Sequence, residues 1–250
     1  MKKLMAANWK MYKTQEQARS TAADLLKAVG ALPADREVLV FPPFTALGAV
    51  SAAFQGASGF SVGGQNFYPK TEGAFTGEVS PGMLLDFGCA CALTGHSERR
   101  HILGESNEFV GQKTAFGFQA GLNIVLCVGE TIDQREAGQV ESILDAQLRA
   151  GLADIPRDLS PERLAVAYEP VWAIGTGKVA GPPDILAAHA FVRKMLVDIF
   201  ANRGSEIRIL YGGSVNPGNC EQIIRLDNVD GVLVGGASLQ ADSFSRIVLA

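Results

Sequence analysis

At 250 residues, 47% hydrophobic and 19% charged, the chain carries ample material for a large core, which excludes an intrinsically disordered protein. The formal net charge is −4, and the lysines and arginines are scattered without a basic patch or stripe. Nothing electrostatic therefore favours a nucleic-acid partner, and an anionic small molecule would need a local cluster of donors. The N-terminal MKKLMAANWK lacks a long apolar segment and a small-residue cleavage site, and no apolar run reaches the roughly 18 residues of a membrane helix. A cytoplasmic protein without a membrane partner is expected.

Eight short apolar, β-branched runs recur along the chain: LMAANW (4–9), EVLVF (37–41), GFSVGG (59–64), ACALTG (90–95), NIVLCVG (123–129), RLAVAYE (163–169), IRILYGG (207–213) and VDGVLVGG (229–236). Most are near-continuous rather than alternating, as in strands buried on both faces. Helical segments lie between them. Thr14 opens the first, with Gln17 three residues on in capping-box spacing. A long loop, QNFYPKTEGAFTGE, follows the third run and leads to a short helix near Pro81; further helical stretches span 105–121 and 138–152. In the clearest helix Ile185, Ala188, Val192, Met195 and Ile199 recur every three or four residues, with Pro182 and Pro183 at the start and Gly204 past the end. The last is SLQADSFSRIVL.

Eight strand–helix alternations at this length favour a closed (β/α)8 barrel over a doubly wound open sheet. No linker divides the chain, so residues 1–250 read as one domain. Cys89 and Cys91 are two apart in a strand-like run and are expected on the same face; with Cys127 and Cys220 they match neither a disulfide framework nor zinc spacing, and read as reduced packing residues.

In such a barrel the site forms at the C-terminal strand ends. There the sequence places Asn8, Trp9 and Lys10, then Gln65 and Asn66, His96, Ser97 and Glu98, Gly129 and Glu130, Glu169, Gly212, Gly213 and Ser214, and Gly235 and Gly236. The opposite ends carry ordinary loops such as LPADRE and DIPRDLSPE. Glycines before helices let backbone N–H groups approach an anion. One Gly-Gly is as readily a tight turn; two, after the seventh and eighth runs, point to a phosphate cradle. Locally, His96 reads equally as a buried strand-end histidine, Glu169 as an ion-paired carboxylate and Lys10 as a snorkelling side chain. Their convergence on one rim favours a site. His189, on a helix, and His101, in a loop, read as structural.

The segments NWK (8–10), QN (65–66), GAFTGE (73–78), GHSERR (95–100), CVGE (127–130), YEPVWAIGTGK (168–178), YGGSV (211–215) and VGGASL (234–239) occur in order over nearly the whole chain and resemble the signatures of the triosephosphate isomerase family. The resemblance implies a TIM barrel that interconverts dihydroxyacetone phosphate and D-glyceraldehyde 3-phosphate. It implies Glu169 as base, His96 as electrophile with its pKa lowered by the following helical turn, Lys10 as a fixed positive charge and Asn8 as a donor beside it. Ser97 and Glu98 support them, Glu98 by holding Lys10 or by relaying protons. Phosphate binding falls to Gly175, Ser214, Gly235 and Gly236. Pro170, Val171 and Trp172 form the leading hinge of a lid whose remaining residues are Ala173, Ile174, Gly175, Thr176, Gly177 and Lys178; closure excludes water from the enediolate. Thr76 implies a homodimer. Neither metal nor cofactor is implied, since the reaction is a net isomerisation. In one departure from the family pattern, the chain reads AGPPDI after the lid, so that Gly181 caps the next helix without a side-chain oxygen.

Two rival readings share the barrel. Another phosphate-binding sugar-phosphate isomerase or aldolase would use the same cradle, although an aldolase wants a lysine deep in a strand and only the first run ends in one. A non-catalytic phospho-ligand binder would have lost Glu169, His96 or Lys10, and all three are present.

Overall fold

The structure is a computed structural model that describes residues 1–174 and 180–250. Eight parallel strands close into a barrel in sequence order: β1 Lys3–Asn8, β2 Arg36–Phe41, β3 Phe60–Gly64, β4 Cys91–Thr94, β5 Asn123–Val128, β6 Leu164–Tyr168, β7 Arg208–Tyr211 and β8 Gly231–Val234. Closure comes from β1 pairing with both β2 and β8, Ala6 lying opposite Leu39 on one side and Leu233 on the other.

The near-continuous apolar runs have the physical origin expected for them. Alternate residues, among them Leu4, Ala6, Leu39, Phe41, Leu93 and Leu233, fill the barrel interior. The residues between them, such as Met5, Ala7, Val38 and Val40, pack outward against the helices. Both faces of each strand are thus removed from water, and a polar alternation would bury unpaired groups.

The surrounding helices are α1 Gln15–Val29, α2 Leu47–Phe54, α3 Pro81–Asp86, α4 Ser97–His101, α5 Asn107–Gln119, α6 Ile132–Glu136, α7 Val140–Leu152, α8 Pro182–Phe200, α9 Cys220–Ile224 and α10 Ala241–Val248. The Thr14 capping box is formed: the Gln17 amide N–H donates to Thr14 Oγ1 at 3.4 Å, and the Thr14 N–H donates to Gln17 Oε1 at 2.9 Å. At α8, Gly181 is the N-cap: Asp184 Oδ2 accepts its N–H at 3.2 Å, and the Asp184 N–H, which a cap side-chain oxygen would have taken, donates to the Gly181 carbonyl at 3.0 Å.

Three helices, α2, α6 and α9, went unread in the sequence, although Thr131 and Gln134 form a capping box at the start of α6. The first is almost wholly apolar or small, and the other two are five residues each. Two local expectations are corrected. Cys89 lies in the turn before β4, so two-residue alternation does not reach it: it packs in the outer core while Cys91 faces the barrel interior. His101 is the last residue of α4 rather than a loop residue. All four cysteines are free and buried. Among the described residues no helix is long and apolar enough to cross a membrane.

Candidate active site

The C-terminal mouth of the barrel holds a cavity of about 370 Å³, lined by Asn8, Lys10, His96, Glu169, Ile174 and the turns 212–216 and 235–237. Glu169 directly follows β6, and its N–H donates to Val128 O at 2.7 Å, which extends the β5–β6 ladder by one residue. The residue is only 2% exposed. Oε2 accepts the Ser97 N–H at 2.9 Å, and His96 Nε2 lies 3.1 Å from Oε1.

His96 is the N-cap of α4. Its Nδ1 accepts the Glu98 N–H at 3.3 Å. A backbone amide can only donate, so this contact selects the neutral tautomer with its proton on Nε2, pointing at Glu169 and the cavity. Burial opposes the charged forms of both partners, but mutual attraction prevails. The Glu169 pKa is lowered by His96, the Ser97 amide and Lys10 against the opposing effect of burial. The His96 pKa is raised because Glu169 and Glu98 outweigh burial. The lowered imidazole pKa expected from the helical turn is not found: Glu169 contacts Nε2 directly, and its charge together with that of Glu98 outweighs burial and Lys10.

Lys10 follows β1 in a left-handed conformation (φ 51°). Asn8 Oδ1 accepts its N–H at 3.0 Å, and Gln65 Nε2 donates to its carbonyl at 2.9 Å and to Phe41 O at 2.9 Å. Its ammonium lies 2.6 Å from Glu98 Oε1. Glu98 thus pairs with Lys10 through one oxygen, and its other oxygen lies 3.6 Å from His96 Nδ1.

The glycine turns have steric reasons. A Cβ on Gly212 would stand 2.8 Å from Glu169 Cγ, and one on Gly213 would stand 2.2 Å from the Tyr211 hydroxyl. A Cβ on Gly235 would touch Lys10 Cε at 3.4 Å, so the ammonium stem runs alongside that turn, whereas Gly236 opens onto free space. Ser214 Oγ donates to Ala173 O at 2.6 Å, which leaves its backbone N–H as its donor toward an anion.

Pro170 leads into a 3-10 turn, Val171–Ala173. The Val171 N–H donates to Glu130 O at 3.0 Å, and Trp172 Nε1 and the Tyr168 hydroxyl donate to the fully buried Glu130 Oε1 at 2.8 and 3.1 Å. Gly175, Thr176, Gly177 and Lys178 lie outside the described residues. Thr76 is exposed in the 71–78 loop, away from the cavity of its own chain, and the neighbouring Phe75 ring lies 4.2 Å from that of Tyr68.

Sequence reading missed Gln147. This residue of α7 is 7% exposed; its Oε1 accepts the Gly129 N–H at 2.7 Å and its Nε2 donates to the Gly129 carbonyl at 3.1 Å. A polar residue on the apolar stripe of its helix was the available signal. Among the described residues no group of three or more His, Cys, Asp or Glu is arranged to hold a metal ion.

A buried carboxylate and an imidazole N–H facing one cavity can move a proton at carbon and polarise an adjacent oxygen, while an ammonium and glycine amides can grip an anion. Fold and site together define a (β/α)8-barrel enzyme suited to proton transfer on a small anionic substrate. The comparisons narrow this class. A family model described as "Triosephosphate isomerase" matches residues 3–250. The chain is 65% identical over 251 residues to the triosephosphate isomerase of Nitratidesulfovibrio vulgaris (strain Miyazaki F) and 64% identical over 250 residues to that of Oleidesulfovibrio alaskensis, covering all of both chains. It is 50% identical to the triosephosphate isomerase of Lawsonia intracellularis, over all of this chain and 98% of that protein. The chain belongs to the triosephosphate isomerase family, whose members are isomerase enzymes.

Proposed function

We propose that the chain catalyses the reversible interconversion of dihydroxyacetone phosphate and D-glyceraldehyde 3-phosphate, a step of glycolysis and gluconeogenesis. The observation that carries this reading is the approach of Glu169 to within 3.1 Å of His96 Nε2 on a cavity whose other walls are Lys10 and the glycine turns after β7 and β8.

The phosphate dianion sits against the backbone N–H groups of Ser214, Gly235 and Gly236, with Gly175 contributing from the lid. That leaves the substrate's carbonyl toward His96 and Lys10 and its carbon acid toward Glu169. Both Glu169 oxygens have partners within the chain, one the Ser97 N–H and the other His96. The substrate must therefore draw the carboxylate off these partners before it can take a proton. Glu169 then carries that proton between C1 and C2. Once Glu169 turns toward carbon, the main influence raising the His96 pKa is withdrawn. The imidazole acts in its neutral form: its Nε2–H polarises the carbonyl and passes to that enediolate oxygen, and Nε2 recovers a proton from the neighbouring hydroxyl, while the Glu98 amide holds Nδ1. Lys10 offsets the enediolate charge, and Asn8 keeps the Lys10 backbone in place while offering its amide N–H groups to the substrate. Residues 170–178 close over the site and exclude water, which strengthens each of these interactions.

We further infer that residues 1–250 act as one domain in the cytoplasm, as a homodimer in which the Thr76 loop of each copy docks on the other. The exposed Phe75 beside Thr76 supports that loop as a contact surface. The test is turnover of D-glyceraldehyde 3-phosphate by the purified protein, coupled to an NADH-dependent reductase of dihydroxyacetone phosphate. Steady NADH consumption is expected; its absence at micromolar enzyme would contradict the assignment.

A further inference from the structure

The β1–α1 loop holds a lysine that the mechanism above does not use. Lys13 has a left-handed backbone (φ 77°), a conformation that non-glycine residues adopt at a cost, so its side chain has to return something to the fold. Its ammonium is fully directed: it donates to Thr21 Oγ1 of α1 at 2.8 Å and to Leu239 O at 2.8 Å, and it lies 5.1 Å from the centre of the Trp9 ring.

Leu239 ends the 3-10 turn Gly236–Leu239, the turn that starts at the cradle glycines after β8. Trp9 grips the same turn one residue earlier, its Nε1 donating to Ser238 O at 3.0 Å. The turn is also pinned at its near end, where the buried Ser238 hydroxyl lies 2.6 Å from Gly235 O and 3.0 Å from Val234 O. Two side chains of the first loop thus bracket the carbonyls at the far end of the turn, some 226 to 229 residues away along the chain. Between these two side chains in sequence lies Lys10, whose stem runs beside Gly235.

We propose that Lys13 is a positioning residue for phosphate recognition: acting through the Ser238–Leu239 carbonyls, with Trp9 beside it, it holds the Gly235 and Gly236 amides in register with the Lys10 ammonium. The inference rests on the reading of the glycine turns as a phosphate site. It places recognition of the dianion partly outside the cavity, in a lysine that never touches the substrate. Without the Lys13 contact, the turn keeps its Ser238 pins but loses its tether to α1, and the cradle amides and Lys10 no longer share one frame.

The test separates positioning from stability. Lys13→Gly removes the ammonium and is compatible with a positive φ, so the backbone strain goes as well. Inorganic phosphate is the probe, its dissociation constant read by 31P NMR alongside kcat, KM and the thermal midpoint. The expected result is a roughly three- to tenfold rise in both the phosphate dissociation constant and KM, of the size of one ordinary hydrogen bond because Lys13 acts on the phosphate only through the turn, with kcat within about twofold of wild type. Lys13→Arg, which can still reach Leu239 O, restores most of the affinity. An unchanged phosphate dissociation constant in Lys13→Gly, with wild type binding phosphate, overturns the brace alone; a shift confined to the thermal midpoint does the same. A wild type that neither binds phosphate nor turns over triose phosphate overturns the functional reading and the brace together.

Discussion

Gly129→Ala tests how the barrel aims its base. Gly129 follows β5 directly, and a Cβ there would stand 1.8 Å from Glu169 O and 2.6 Å from Glu169 C. Ordinary contact begins near 3.4 Å, so the two backbones must part by about 1.6 Å. Gly129 cannot supply that movement alone, because the Gln147 amide clamps its N–H and its carbonyl at 2.7 and 3.1 Å. Much of the shift therefore falls on the main chain of Glu169, whose side chain is set by contacts of 2.9 Å to Ser97 and 3.1 Å to His96. A misplacement of about 1 Å at a reacting group costs on the order of 10²-fold. Overpacking of this kind costs about 1–3 kcal/mol of stability, which in a chain this long lowers the thermal midpoint by about 2–4 °C per kcal/mol. The assay is kcat/KM for D-glyceraldehyde 3-phosphate together with thermal unfolding, with Gly82→Ala, outside the site, as the control because a Cβ there meets only Ser80 Oγ, at an ordinary contact of 3.7 Å. We expect Gly129→Ala to fold with a lowered midpoint and to lose about two orders of magnitude in kcat/KM. Retention of kcat/KM within threefold of wild type would refute the steric argument.

Three other outcomes follow from named contacts. The Glu105 carboxylate pairs with the buried Lys113 ammonium at 2.7 Å and with Arg99 at 2.6 Å; burial alone would raise its pKa, but these two cations outweigh that and lower it. The stability this gives is complete above the ordinary carboxylate range and is lost as pH falls through the lowered value, so urea unfolding should show Glu105→Gln weaker than wild type by about 3–5 kcal/mol at pH 7, the gap closing in acid. His189 is fully buried, its Nδ1 lies 2.8 Å from Asn228 O, and burial pushes its pKa down to about 4. Because the unfolded chain binds this proton more tightly, folding stability is complete above about 6.5 and falls by up to about 3 kcal/mol as pH drops toward 4; His189→Gln should flatten that part of the unfolding profile. Thr76→Lys, which places a charge on the proposed contact loop, should sediment as a monomer of low activity; a fully active monomer would remove the dimer from the account.

The eight strands were legible in the sequence because burial on both faces leaves no room for polar alternation, and α8 because its apolar stripe recurs over about four turns between a proline start and Gly204. Helices α2, α6 and α9 were not, since short or uniformly apolar segments carry no period. Lys10, His96 and Glu169 could be found because strand ends in a parallel barrel converge, so position in sequence stands in for position in space. The groups that hold them could not. Gln147 reaches the site through a side-chain amide whose partner is set by tertiary packing, Gln65 was legible as a rim residue but not as the donor to Lys10 O, and the Lys13 contact spans nearly the whole chain. The direction of the His96 pKa shift depended on the same kind of information, namely which side of the imidazole Glu169 occupies.

The central claim is that Glu169 moves the proton while the glycine turns hold the phosphate. Comparison of wild type with Glu169→Ala tests it most directly, with isomerisation of D-glyceraldehyde 3-phosphate and the dissociation constant of inorganic phosphate measured on the same preparations. The account predicts a fall in kcat of roughly three or more orders of magnitude, the size expected for a lost base in a preorganised site, with phosphate affinity retained. A kcat within tenfold of wild type would show that another group takes the proton and would contradict the account.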